Sequence, residues 1–385
     1  MAWNYRRRVK LIPGVRLNFS KNGISTSIGF RGANITFGSK GTYLNTGIPG
    51  TGLYNRQKIS SGGNSHHNDS IQREAIVEPT DNIISVDVEE VTSHDMQGIK
   101  EAIINAHKQR NDLSEAIKSV NSTKLFTKAK LIASYIFIIG FISKKIKNNI
   151  QKDIEAQKQT IVELEKQRDI SYVNLDIEFD DEIKIKYEKV VNSFKNLMTS
   201  QKIWHVTTAL SENRVVTRSY ASISERKKEV RFDLKSLPDI KSKDFALFFK
   251  NSHGADIFFY PNFIVMQARK GNFGLIDFKE LDFNFKSRRF VEKENVPSDS
   301  KIIDTTWAKV NKNGSPDRRF KDNYQIPVVR YGTIALKSST GMHEEYEFSN
   351  YEVSEQFASD FNDYKKTING LPQVAGQNYI AKEKD

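Results

Sequence analysis

Residues 12–29 read IPGVRLNFSKNGISTSIG, and residues 32–50 repeat the pattern as GANITFGSKGTYLNTGIPG. Aligning Gly14 with Gly32 and Gly50 superposes Leu17 on Ile35, Phe19 on Phe37, Gly23 on Gly41 and Gly29 on Gly47, a period of eighteen residues. Within a unit, Val15, Leu17 and Phe19 alternate with Arg16, Asn18 and Ser20, the period-two signature of a half-buried strand. Gly23 and Gly41 stand where the chain reverses, because glycine accepts the positive φ that a tight hairpin demands. The block therefore reads as a small antiparallel β-domain over residues 1–56. Units this short do not bury a face alone, so neighbouring units, the rest of the protein or further copies of the chain are expected to cover it. A homo-oligomer through this block or through the hairpin described below is one such arrangement.

Charge points the same block at an anionic partner. Residues 1–60 contain six Arg and four Lys and no Asp or Glu, so this segment carries +10 of the chain's formal +12. Arg6, Arg7, Arg8, Lys10 and Arg16 are the candidate contacts to an acidic lipid surface or to nucleic acid. A solubilising basic face is the alternative. For nucleic acid, Phe19, Phe30, Phe37, Tyr43 and Tyr54 offer rings for stacking on single-stranded bases. The run GVRLNFSKNGISTSIGFRGANITFGSKGTYLNTGIPGTGLYNR resembles the bacterial domain of unknown function 4236, over about residues 3–56. That resemblance implies a modular bacterial protein and transfers no catalytic residue.

Residues 57–92 begin as a Ser/Gly/Asn-rich linker containing His66 and His67, which lack the companions a metal site needs. From Ser93, read as an N-cap, Ile99, Ile103, Ala106, Arg110, Leu113, Ile117 and Val120 alternate by four and three, and Ile150, Ile154, Gln157, Ile161 and Leu164 do the same. These stripes predict an antiparallel coiled-coil hairpin over 93–170. Its tip, 131–142, is free of charge and about 18 Å long as a helix, too short to span a bilayer but long enough to enter one leaflet. Leu131, Ile132, Tyr135, Phe137, Ile138 and Phe141 would form that membrane tip. From 116 to 152 there are eight lysines and no acid, with Lys128 and Lys130 before the tip and Lys144, Lys145 and Lys147 after it. Such a collar suits an anionic membrane interface. A buried helix packed on protein is the competing reading.

Residues 171–370 alternate with period two in several aromatic-rich segments and end on a helix with Val353, Phe357, Phe361 and Tyr364 on one stripe, before a tail at 371–385. The order of elements weakly resembles pleckstrin-homology-like domains, which implies binding of a lipid, peptide or protein partner. In the loop 306–328, Arg318 and Arg319 are candidates to grip a phosphate or carboxylate, against the alternative that Asp and Arg brace each other. The fold class is α+β, multidomain.

The chemistry-bearing motifs are sparse. The chain has no cysteine, which removes disulfides, thiolate metal sites and cysteine nucleophiles. The glycines at 47–52 lack the GK[ST] of a phosphate loop, and no HExxH or GxSxG occurs. No metal or cofactor is expected. Asp256, Asp277 and Lys279 would suit a metal-dependent nuclease, as in antiviral defence, if the fold gathered them. The leading expectation is a non-enzymatic, cytoplasmic scaffold or sensor attached peripherally to anionic membrane, with nucleic-acid binding as the alternative.

Overall fold

The computed structural model describes residues 14–20, 23–30, 33–38, 41–47, 54–60, 80–82, 85–88, 90–136, 144–211, 223–268, 271–311 and 313–371. The glycine block folds as a meander in which β1 (Gly14–Ser20), β2 (Gly23–Phe30), β3 (Ala33–Gly38), β4 (Gly41–Gly47) and β5 (Tyr54–Ser60) pair antiparallel in chain order. Ser20 faces Gly23 and Gly38 faces Gly41, so each eighteen-residue unit is one tight hairpin.

The meander is not a free-standing domain, as a boundary at residue 56 would make it. The outer edge of β1 is taken, in parallel, by β7 (Val173–Phe179), with Val15 opposite Leu175 and Leu17 opposite Ile177. β11 (Ile240–Ser242) adds beyond β7, also in parallel, completing a seven-stranded sheet. The reason is burial: Val15 and Leu17 need a cover, and they join Val173 and Leu175 in the main core.

The linker expected over 57–92 is likewise only partly a linker. β5 runs on to Ser60, and β6 (Thr80–Asn82) pairs with β8 (Ile203–Ser211). From Ser85 onward the chain is stitched to the C-terminal part: Val86 N donates to Gly341 O (3.1 Å) and Ser93 N to Leu275 O (2.8 Å). Val88 and Val91 are buried. This close approach requires Gly274, because a Cβ there would lie 2.7 Å from Val88 O and 2.8 Å from Val91 O. Ser93 is not a side-chain cap; its Oγ accepts from Asp277 N at 2.9 Å. His66 and His67 lie outside the described residues.

Helix α1 (Gln97–Ile136) starts after a short 3-10 turn, and α2 (Lys144–Asp169) returns along it. Arg110 Nη1 donates to Arg168 O (2.8 Å) near the root and Gln157 Nε2 to Thr127 Oγ1 (3.1 Å) farther out, so the helices are antiparallel. Ile99, Ile103 and Ala106 anchor α1 in the main core. Leu113, Ile117 and Val120 instead pack on Ile161 and Leu164 in a small core of their own. The part of α1 beyond Ala106 is about 45 Å long at 1.5 Å per residue.

The C-terminal part holds a five-stranded antiparallel sheet in the order β10 (Phe232–Leu234), β12 (Leu247–Phe249), β13 (Asp256–Phe259), β14 (Phe263–Gln267), β15 (Phe273–Asp277). A second sheet comprises β6, β8, β9 (Ile223–Glu229), β16 (Leu281–Val291), β17 (Lys301–Trp307), β18 (Gln325–Ser338) and β19 (His343–Phe348). Two helices close this unit: α3 (Asp181–Leu197) and α4 (Tyr351–Gly370), the latter capped by Asn350 Oδ1 accepting from Val353 N. Rings of Phe194, Phe232, Phe249, Phe259, Phe357 and Phe361 meet between them, with centroids 4.1 to 6.4 Å apart.

Candidate functional site

Midway along the arm the ordinary polarity of a helix pair is locally reversed. Continuing the inner seam from Val120 by steps of four and three gives Lys124, Thr127 and Leu131, all half-buried. Opposite them Gln157 is buried: its Nε2 donates to Thr127, while its Oε1 has no hydrogen-bond partner. The seam is thus polar at Lys124, Thr127 and Gln157, between the apolar contacts of Val120 and those of Leu131 and buried Ile154, at a cost in the usual range for an unpaired buried acceptor of about 1–3 kcal/mol.

The water side has become apolar. Leu125, Phe126 and Ile132 are 65%, 64% and 61% exposed. Leu125, Ala129 and Ile132 stand at i, i+4 and i+7, hence on one face, with Phe126 beside them. Lys130 Nζ lies 4.7 Å from the Phe126 ring centroid, so its stem flanks the ring while its charge stays in water. Lys128 and Lys130 are exposed, and Lys147 is half-buried. At the start of α2, Lys144, Lys145 and Lys147 occupy the first turn with no acid among them. This is the end of a helix whose dipole favours negative charge, so the lysines are placed against local preference.

Of the expected tip, Leu131 falls on the seam and Ile132 on the exposed stripe. Tyr135 lies in the last turn of α1, its side chain outside the described residues, as are those of Lys144 and Lys145; Phe137, Ile138 and Phe141 lie outside them altogether. Leu125 and Phe126 were not among the expected tip residues, although the seven-residue step from Leu125 to Ile132 was readable.

Other candidates are dispersed. Arg6, Arg7, Arg8 and Lys10 lie outside the described residues. Arg16 is exposed on β1, its Nε 3.6 Å from Asp176 Oδ2. The grip expected of Arg319 is corrected: its Nε and Nη2 donate to the two oxygens of buried Asp317 at 2.8 and 2.7 Å, leaving Arg318 exposed beside it. That fork is the bidentate geometry a phosphate would need, so the loop is braced internally.

The nuclease constellation is not assembled. Asp256 faces Gln267 across β13 and β14, whereas Asp277 faces Phe263 at the opposite end of β14. Four residues along a strand already separate them by about 13 Å. Asp256 pairs with Lys250 at 2.8 Å, while Asp277 accepts from Lys279 N, and burial pushes its carboxyl above the usual range. Among the described residues no group of three or more His, Asp or Glu is placed to hold a metal ion, and no helix is long and apolar enough to cross a membrane.

Residues 3–56 match the family model of a protein of unknown function, DUF4236. The DUF4236 match covers β1 to β4 and the first residues of β5, and stops short of the arm. Comparisons with curated proteins and with solved structures return no match. The pleckstrin-homology resemblance accordingly rests on element order alone.

Proposed function

We propose that the arm docks the protein peripherally on an anionic membrane surface, with the body held off the bilayer as a scaffold or sensor. The observation that carries this reading is the apolar stripe of exposed Leu125, Phe126 and Ile132 on the water side of the arm, beside a seam that buries Gln157. In water that arrangement is unfavourable on both counts. At a bilayer interface the outer side chains leave water, each worth about 1–2 kcal/mol at its present exposure. Lysines at headgroup level add about 1 kcal/mol apiece. The acid-free stretch from 116 to 152 supplies them without a repelling carboxylate.

The decisive experiment is co-sedimentation of the full chain with vesicles. Binding to phosphatidylserine-containing vesicles that weakens with salt, and little binding to pure phosphatidylcholine, supports docking. Failure to bind both counts against it. Tighter, salt-dependent capture of single-stranded nucleic acid than of anionic vesicles would favour the basic N-terminal strands as the working surface.

A further inference from the structure

The turn between β12 and β13 presents Ser252, half-buried, with its Oγ 2.8 Å from Nδ1 of His205 on β8. Nε2 of the same ring lies 2.7 Å from Oε2 of Glu344 on β19, and both His205 and Glu344 are almost fully buried. Glu344 is held in turn by Ser85, whose Oγ donates to Oε1 at 2.6 Å and accepts from His343 N at 3.0 Å.

The triad uses one arrangement of protons, a neutral ring protonated at Nε2 beside an ionised carboxylate. An ionised carboxylate only accepts, so Nε2 carries the proton and donates to Glu344. The neutral ring then has its lone pair on Nδ1, where it accepts from the Ser252 hydroxyl. Both distances lie within reach for a nucleophile, its base and the group that orients the base. The two ring nitrogens are exchanged relative to the Ser-His-Asp template, in which the acid takes Nδ1.

The turn is braced around the serine. Asn251 Oδ1 accepts from His253 N (2.8 Å) and Gly254 N (2.7 Å), and Asp256 Oδ1 accepts from Asn251 N (3.1 Å). Asn251 is buried, and its Nδ2 has no hydrogen-bond partner. Gly254 packs closely on that side chain, since a Cβ there would approach the nitrogen to 3.2 Å. Lys250, Gly254 and Asp256 of this segment line a cavity of about 340 Å³ with His107 and Gln267. Ser252, His205 and Glu344 are not among its lining residues.

We infer that Ser252, His205 and Glu344 form a nucleophilic triad that hydrolyses carboxylic esters, a chemistry independent of the arm. Ser252 Oγ bonds to the ester carbonyl carbon as its proton passes to His205 Nδ1, and the carbonyl π pair moves onto oxygen. Collapse breaks the bond to the leaving alkoxide, which takes the proton from Nδ1 and departs as alcohol. Water then attacks the acyl-serine, giving its proton to Nδ1; collapse releases the carboxylic acid and returns the proton to Ser252. Glu344 stays ionised throughout and acts as a positioning residue.

The test is labelling of the full chain with a fluorophosphonate probe, located by mass spectrometry, together with hydrolysis of p-nitrophenyl acetate. Ser252 is expected to carry the label, and Ser252→Ala to lose both label and hydrolysis. His205→Gln should slow labelling by about 10²–10⁴-fold, the usual worth of a general base. Glu344→Gln, whose amide can donate to the ring and reverse its tautomer, should slow labelling and shift its pH profile, with Glu344→Asp recovering part of the rate. The inference is overturned if Ser252 takes no label, or if a folded His205→Gln variant labels at the parent rate. Should that variant fail to fold, Ser252→Ala decides alone, because it removes a single hydroxyl: ester hydrolysis at the parent rate refutes the triad.

Discussion

Replacing Phe126 with glutamate tests the arm where its geometry is best defined. Water touches 64% of Phe126, and a fully buried phenylalanine is worth up to about 3 kcal/mol, so insertion of the exposed part gains about 2 kcal/mol. A glutamate forfeits that gain and adds a repulsion comparable to the roughly 1 kcal/mol that a lysine contributes with opposite sign. The sum of about 3 kcal/mol corresponds to about a hundredfold weaker partitioning onto anionic vesicles. Folding should barely register the change. The contact of Lys130 with the ring, worth about 0.5 kcal/mol at an exposed site, is exchanged for an i,i+4 Glu–Lys pair of similar size. Vesicle co-sedimentation and thermal unfolding, run on the same protein, separate the two effects. Partitioning within twofold of the parent, with the melt unchanged, would refute the idea that this stripe enters lipid.

Further outcomes follow from individual contacts. Replacing Lys128 and Lys130 together with alanine should lower vesicle affinity by about 2 kcal/mol and flatten its salt dependence, measured by titration at two ionic strengths. Gln157→Leu removes the unpartnered buried carbonyl and should raise stability by about 1 kcal/mol in denaturant unfolding; a loss of that size would show that the polar seam is structurally required. Gly274→Ala drives a methyl into two carbonyl oxygens of residues 88 and 91, and should cost about 1–3 kcal/mol and raise amide exchange over 85–93. Because burial raises the folded-state pKa of Asp277 above its ordinary 3.8, its neutral form is favoured in the fold. Its contribution to stability is therefore complete below about pH 3.8 and is lost as pH rises through the raised value. Asp277→Asn keeps the acceptor for Lys279 N and should flatten that part of the stability profile, most simply seen in melting temperatures from pH 3 to 7.

Local pattern carried much of this fold, and long-range pairing carried the rest. The seam through Leu113, Ile117 and Val120 was readable because a helix packing on another writes a 3.5-residue period. The two hairpins of the glycine block were readable because Gly23 and Gly41 punctuate an alternating pattern. Helix α3 was not read from the sequence, although Ile183, Tyr187, Val190, Phe194 and Leu197 form a stripe, because it sits between strand-like segments. Nothing local signals that β1 pairs with β7, whose residues lie more than 150 positions away, since parallel partners are joined only by a long crossover. The exposed stripe of Leu125, Phe126 and Ile132 escaped a search for contiguous apolar runs because it is spaced by helical period. Ser252, His205 and Glu344 share no spacing rule at all; only the juxtaposition of a turn and two strands brings them within hydrogen-bonding distance.

The absence of cysteine makes a direct test of docking simple: a single nitroxide label placed through Ile132→Cys, with a matching label at exposed Glu115, about 25 Å nearer the root. Collision rates with oxygen and with a water-soluble nickel chelate are measured with and without anionic vesicles. The label at 132 should gain oxygen collisions and lose chelate collisions when vesicles are added, while the label at 115 stays in water. Unchanged chelate access at 132, on protein that has sedimented with the vesicles, would contradict the account.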